Sequence, residues 1–141
     1  MRKIKFRGKN IDSKDFDHKE FVYGCLDFRG CHDCPSDVLI IGEMNRGVWY
    51  VDRDTVGQFT GMYDCNGIEV YEGDICELLG YEGNHKFIVK WNDEETGFAM
   101  FRLDGRKSQV QFHREAYKNL MVVGNIYDNI EWLIAKKGKE N

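Results

Sequence analysis

The sequence predicts a mostly β protein: a barrel-like body, with an SH3-like small barrel in the C-terminal half, plus one short C-terminal α-helix. Three observations point there. Aromatic and β-branched residues recur in short runs, with nine Phe, seven Tyr and three Trp among 141 residues. Glycine is abundant, at 15, and falls between those runs. Pro35 is the single proline, so the turns rest on glycine and on Asn or Asp. Short strands separated by frequent turn signals are the pattern of barrels and sandwiches.

The elements follow in order. Residues 3–9 alternate Lys3, Ile4, Lys5, Phe6, Arg7, Gly8, Lys9, which predicts a half-exposed strand with one solvated basic face. Residues 10–19 are polar and form a loop. Phe21 to Phe28 is a second strand, with Gly24 as a bulge. Arg29 to Ser36 reads as a loop carrying Cys31 and Cys34. Val38 to Ile41 is a short buried strand, Glu43 to Gly47 a turn, and Val48 to Val51 another strand. Asp54 caps a single helical or 3₁₀ turn that ends near Gly57.

Gly57, Gly61, Gly67 and Gly73 punctuate the segment from Asp54 to Asp74, a spacing that fixes backbone bends more than it builds a reactive site. Asn66-Gly67 predicts a two-residue hairpin turn whose central residues both take positive φ. A strand follows from Ile68 to Tyr71. Glu72-Gly73-Asp74 is a second tight turn, leading into Ile75 to Leu79. His85 to Trp91 and Phe98 to Leu103 are strands around a polar turn from Asn92 to Thr96. Asp104-Gly105 signals another hairpin. Val110 and Phe112 alternate with polar neighbours in one more strand, and Leu120 to Val123 completes the set.

The last residues carry the helix. Its N-cap is Asp128 or Asn129. With Asp128, Glu131 closes a capping box, and Tyr127 and Trp132 occupy the positions of a hydrophobic staple. Ile130, Leu133 and Ile134 make a short apolar stripe, Lys136 and Lys137 suit the C-terminal end of the dipole, and Gly138 stops the helix. A helix of about two or three turns does not persist alone, so it must dock on the sheet.

The length implies one domain over 1–141, with enough chain to bury a core without disulfides. The formal charge of −4 argues against nucleic acid as the main partner. No run approaches the ~18 consecutive apolar residues of a membrane helix, and the N-terminus has no apolar segment of a secretory signal. Five cysteines, an odd number without an export signal, imply reduced thiols and a cytoplasmic location.

Four words of sequence, Ile4-Lys-Phe-Arg-Gly8, Phe21-Val-Tyr-Gly24, Val51 to Asp74, and Val123-Gly-Asn-Ile-Tyr-Asp-Asn129, give the chain a likeness that spans nearly its whole length. It resembles the YopX family, small proteins of bacteriophages and prophages. The resemblance implies a barrel-like β domain of phage or prophage origin, acting inside a bacterial host cell. It transfers no catalytic residue and no cofactor. Two positions depart from the family pattern: Arg53 and Ile130 stand where members often carry proline, and at Ile130 that proline would open the last helix.

Several constellations carry chemistry on paper. Cys31-His-Asp-Cys34 has the spacing of a zinc knuckle. A four-ligand site would need two more donors, for which Cys25, His32, Cys65 and Cys76 are available, and no second such pair exists. Two free thiols in a surface loop is the plainer reading. Asp64, Glu69, Glu72, Asp74 and Glu77 cluster in sequence, and close carboxylates can hold Mg²⁺ or act as acid and base. The competing account solvates Glu69 on a hairpin face and ties Asp74 to turn amides.

Thr55, Gln58, Thr60, Glu72, Asp74 and Asn125 are the candidate ligand or partner contacts, against the simpler role of satisfying backbone groups. Lys3, Lys5 and Arg7 are candidate phosphate contacts, against a lysine-rich face that deters edge-to-edge pairing. No Walker loop, Gly-x-Ser-x-Gly or His-Glu-x-x-His motif is present. The sequence thus favours a non-enzymatic module without a cofactor, binding a phage or host protein or a second copy of itself. A nucleic-acid-binding accessory factor is the alternative, followed by a metal-dependent hydrolase built on Glu72 and Asp74.

Overall fold

The computed structural model of the protein describes residues 1–12, 20–31, 34–80, 85–105, 109–111 and 116–133. The side chains of Cys31 and Cys34, and all of His32, lie outside what is described. The chain divides into two compact units, Met1–Phe59 and Thr60–Asn141. Both are built from antiparallel β-sheet. The mostly β class is as the sequence predicts, but neither sheet closes into a barrel. Among the described residues one sheet has six strands and the other five, each with two edges. No helix among the described residues is long and apolar enough to cross a membrane.

The first unit begins with β1 (Phe6–Lys9) and β2 (Phe21–Cys31). Strand β2 serves two partners in turn. Its start pairs with β1, from Lys9↔Phe21 to Phe6↔Gly24. From Cys25↔Ile41 onward it pairs with β3 (Cys34–Ile41). Gly24 is the changeover residue, and the register shift sits further on, between Arg29 and Cys31. Within the expected loop from Arg29 to Ser36, the described residues 29–31 and 34–36 instead belong to β2 and β3, with Cys31 opposite Cys34. Leu39, Ile40 and Ile41 pair with β4 (Val48–Tyr50). A 3₁₀ turn over Arg53–Thr55 follows, capped by Asp52 and not Asp54: the Asp52 carboxylate accepts the Asp54 N–H at 3.1 Å.

Val38, Ile40 and Val51 are the buried centre of this unit, with Phe6, Val22, Leu26, Trp49 and Val56 packed around them. Gly8 lies so close to Val51 that an added Cβ would sit 2.9 Å from the valine Cβ. Arg7 and Lys9 point to the opposite face. The predicted basic stripe is not solvated there: Arg7 is 5% and Lys9 6% exposed. Phe21 explains part of this, with the Arg7 guanidinium 4.2 Å and the Lys9 ammonium 4.0 Å from its ring centroid, a contact that offsets some of the cost of removing cations from water.

Strand β5 (Gly57–Tyr63) runs across the division between units. Its start pairs with β1 through Phe6↔Gln58 and Arg7↔Gly57, and β6 (Glu69–Tyr71) neighbours it in the second unit. Gly57 and Gly61 therefore both lie within a strand: Gly57 opens it opposite Arg7, while Gly61, with φ of 86°, bends it from inside. The β5–β6 turn also differs from expectation. Asp64 N–H donates to Ile68 O at 2.8 Å and Gly67 N–H to Asp64 O at 3.0 Å, which makes a three-residue loop. Gly67 has φ of 79°, and Asn66 is not among the positive-φ residues. This is the loop in which a type I turn is completed by one left-handed glycine.

In the second unit β7 (Asp74–Leu78), β8 (Lys86–Asn92), β9 (Gly97–Arg102) and β10 (Gln109–Gln111) form a meander, and β11 (Leu120–Asn125) returns beside β7. Alternation sends Phe87, Val89 and Met100 to one face, into a cluster with Val70, Cys76 and Leu120. Ile75, Ile88 and Leu103 form a second cluster, joined by Val123, Ile126, Trp132 and Leu133. The helix thus docks as predicted. It begins at Ile130, which places Asn129 immediately before its first residue. Residues 134–141 lie outside the described part.

Candidate functional site

Four of the six candidate contacts, Thr55, Thr60, Asp74 and Asn125, direct side-chain polar atoms at the chain's own backbone. Thr55 clips the 3₁₀ turn to β1. Its hydroxyl donates to Asp52 O at 2.6 Å and accepts the Lys9 N–H at 2.8 Å, while Asp52 N–H donates to Lys9 O at 2.9 Å. Thr60 does the same for β5, donating to Val70 O at 2.8 Å and accepting from Met62 N–H at 3.2 Å. Gln58 is half-buried in β5 opposite Phe6.

Asp74 is 2% exposed, and one carboxylate oxygen accepts the Tyr71 N–H at 2.8 Å across the Glu72-Gly73 turn. Gly73 has φ of 88°, a conformation that suits glycine at this position of the turn. Its N–H donates to Val89 O and its carbonyl accepts from Ile126 N–H, both at 2.9 Å. Glu72 is half-buried in the same turn. Asn125 lies opposite Asp74 in the β7–β11 register, so these two candidates are brought together. The Asn125 side-chain oxygen Oδ1 accepts from Tyr127 N–H at 3.0 Å and Asp128 N–H at 2.9 Å, and its side-chain Nδ2 donates to the Asp128 carboxylate at 2.9 Å.

Gly124 belongs to the same knot for steric reasons. Asn129 folds back so that its side-chain oxygen accepts the Asn125 N–H at 3.1 Å. A Cβ on Gly124 would lie 2.2 Å from that oxygen and 2.9 Å from Trp132.

The acidic cluster disperses into separate tasks. Asp64, 3% exposed, is the residue whose importance the sequence hides. One oxygen accepts from Asn66 N–H at 2.8 Å and Ile68 N–H at 2.9 Å, and the other from Val122 N–H at 3.0 Å. It shapes its own turn and also holds the edge of β11. Glu69 is half-buried and accepts the Tyr71 hydroxyl at 2.8 Å, in place of the expected solvated position. Glu77 pairs with Lys86 at 3.2 Å. Among the described residues no group of His, Cys, Asp and Glu is arranged to hold a metal ion. Of the proposed extra thiol donors, Cys25 and Cys65 are exposed and Cys76 is buried in an apolar cluster. Ahead of β1, which starts only at Phe6 and not at the expected residue 3, Lys3 and Lys5 both approach Glu43, at 3.2 and 3.8 Å.

The sequence matches the family described as YopX protein over residues 5–134. The chain belongs to the YopX protein family. The YopX match takes in all eleven strands of the described residues, and both the Thr55 clip and the Asn125 knot fall inside it. A crystal structure of protein EF1440 from Enterococcus faecalis is similar in fold, with a TM-score of 0.55 at 20% sequence identity, covering 94% of this chain and 99% of that one. No curated protein matches this YopX chain.

One substitution separates the two roles open to Thr55. Thr55→Val keeps the shape and deletes the hydroxyl, leaving the buried Lys9 N–H without its acceptor. We expect a loss of about 1–3 kcal/mol in urea unfolding. Unchanged stability would mean that the hydroxyl serves something other than the backbone.

Proposed function

We propose that this YopX protein is a phage or prophage accessory protein that works in the cytoplasm of a bacterial host as a non-enzymatic interaction module. It would hold a phage or host protein, or a second copy of itself. The observation that carries this reading is a division of labour among side chains. Polar groups at the candidate positions are directed at backbone amides and carbonyls, while large apolar residues stand at the surface. Phe28, Tyr50 and Trp91 are 57%, 46% and 47% exposed. Aromatic residues are the type that protein interfaces favour.

Burial of Arg7 and Lys9 weakens the alternative of phosphate binding along β1. The hydrolase reading loses ground because Asp74 is buried and turned onto the Tyr71 amide. Light scattering of the purified chain, combined with affinity capture from phage-infected cells, tests the proposal. A stable self-association or a specifically captured protein is the expected result. A strict monomer that captures nothing would contradict it.

A further inference from the structure

Strands β8 and β9 leave an aromatic pair at the turn end of their hairpin. Trp91 and Phe98 are direct cross-strand partners, with ring centroids 5.2 Å apart at an interplanar angle of 83°. That edge-to-face contact fixes the indole in place. The pair continues the face on which Phe87, Val89 and Met100 are buried, yet Trp91 itself stays 47% exposed. The turn that follows carries Asp93, Glu94 and Glu95, all exposed, within four residues of it in sequence. Asn92 fixes the turn by accepting the Glu94 N–H at 3.0 Å. The nearest cation in sequence, Lys90, alternates to the opposite face and lies 5.9 Å from the Phe101 ring centroid.

We propose that this hairpin end is a docking site for an arginine-bearing segment of a partner protein. A guanidinium meets both features at once: it stacks on an indole face, and its planar fork pairs with carboxylates. Lysine matches the charge but not the stacking geometry. A phosphate backbone would be repelled by the three carboxylates. The inference rests on the interaction-module reading and gives that module a partner chemistry.

The test titrates the full chain with a synthetic peptide of alternating arginine and glycine, and with its lysine counterpart, at low and physiological salt. The arginine peptide binds the native chain, more tightly than the lysine peptide and less tightly as salt rises. Trp91→Ala weakens binding about tenfold, as does the double reversal Asp93→Lys with Glu94→Lys, while Trp91→Phe retains part of the affinity. These side chains are exposed, and circular dichroism verifies that each variant folds. Failure of the native chain to bind the arginine peptide, or equal affinity in Trp91→Ala, overturns the site. Self-association lost in Trp91→Ala would assign this face to a second copy and also overturn it. If the native chain and Trp91→Ala capture the same protein from infected cells equally well, the docking site falls and the interaction reading stands. If the native chain neither self-associates nor captures anything, the broader reading falls by itself.

Discussion

Gly24→Ala is expected to destabilise the first unit by at least about 3 kcal/mol, enough to abolish its cooperative unfolding transition if its stability is marginal. A Cβ at this position would stand 1.9 Å from the carbonyl oxygen of Ile41, 2.7 Å from its carbonyl carbon and 3.1 Å from the Gly42 Cα. All three are backbone atoms, so no rotamer change relieves the clash. Gly24 is also where β2 passes from β1 to β3. Moving the strand away from Ile41 would break the first pair of the β2–β3 ladder and disturb the packing of Val38 and Ile40. Urea unfolding followed by far-UV circular dichroism reads the effect. A variant within about 1 kcal/mol of the native chain, where mild overpacking would leave it, would refute this close approach.

The second large effect is expected at Asp64. Asp64→Ala removes the acceptor for three backbone N–H groups, those of Asn66, Ile68 and Val122. Hydrogen bonds to a charged group are each worth about 1.5–3 kcal/mol, and a buried donor left without an acceptor carries a desolvation penalty. The three are coupled through one side chain and do not add fully, so a loss of about 3–5 kcal/mol is expected in urea unfolding. Asp64→Asn should fall between, because one oxygen can still accept while the new NH₂ faces a donor. Loss in Asp64→Ala below about 1 kcal/mol would show that the carboxylate holds neither the turn nor β11.

These two residues mark where sequence reasoning stops. Period-two alternation with flanking turn signals located β6, β7, β8 and β9 to within a residue or two, because the information is local. The helix start was legible for the same reason, in the run from Asp128 to Leu133. Strand β5 was not, since Gly57 and Gly61 read locally as element boundaries, while Gly57 pairs with Arg7 of β1 and Gly61, with φ of 86°, bends the chain without ending the strand. Pro35 and the polar residues around it disguised the β2–β3 hairpin as a loop. Barrel closure is a property of how sheet edges meet, and no short word of sequence encodes it.

The same division holds for the site. Alternation put Arg7 and Lys9 on one face of β1, but it cannot say what covers that face. The Asp54 to Asp74 segment revealed that its polar residues shape turns, and Thr55, Thr60 and Asp74 make backbone contacts of that kind. Asp64 escaped because its third partner, Val122, is 58 residues away in sequence. Asp52 escaped as the cap because Asp54, two residues on, offers the same chemistry.

The account rests on polar side chains in the glycine-rich segment acting on the chain's own backbone. Native-state hydrogen exchange of the Val122 amide, compared between the native chain and Asp64→Ala, tests this most directly, because that amide meets Asp64 only through the tertiary fold. The account predicts a protected Val122 amide in the native chain and protection lost selectively in the variant, with the amides of the β8–β9 ladder much less affected. Equal protection of Val122 in the two proteins would contradict it and return Asp64 to the list of groups available for a ligand.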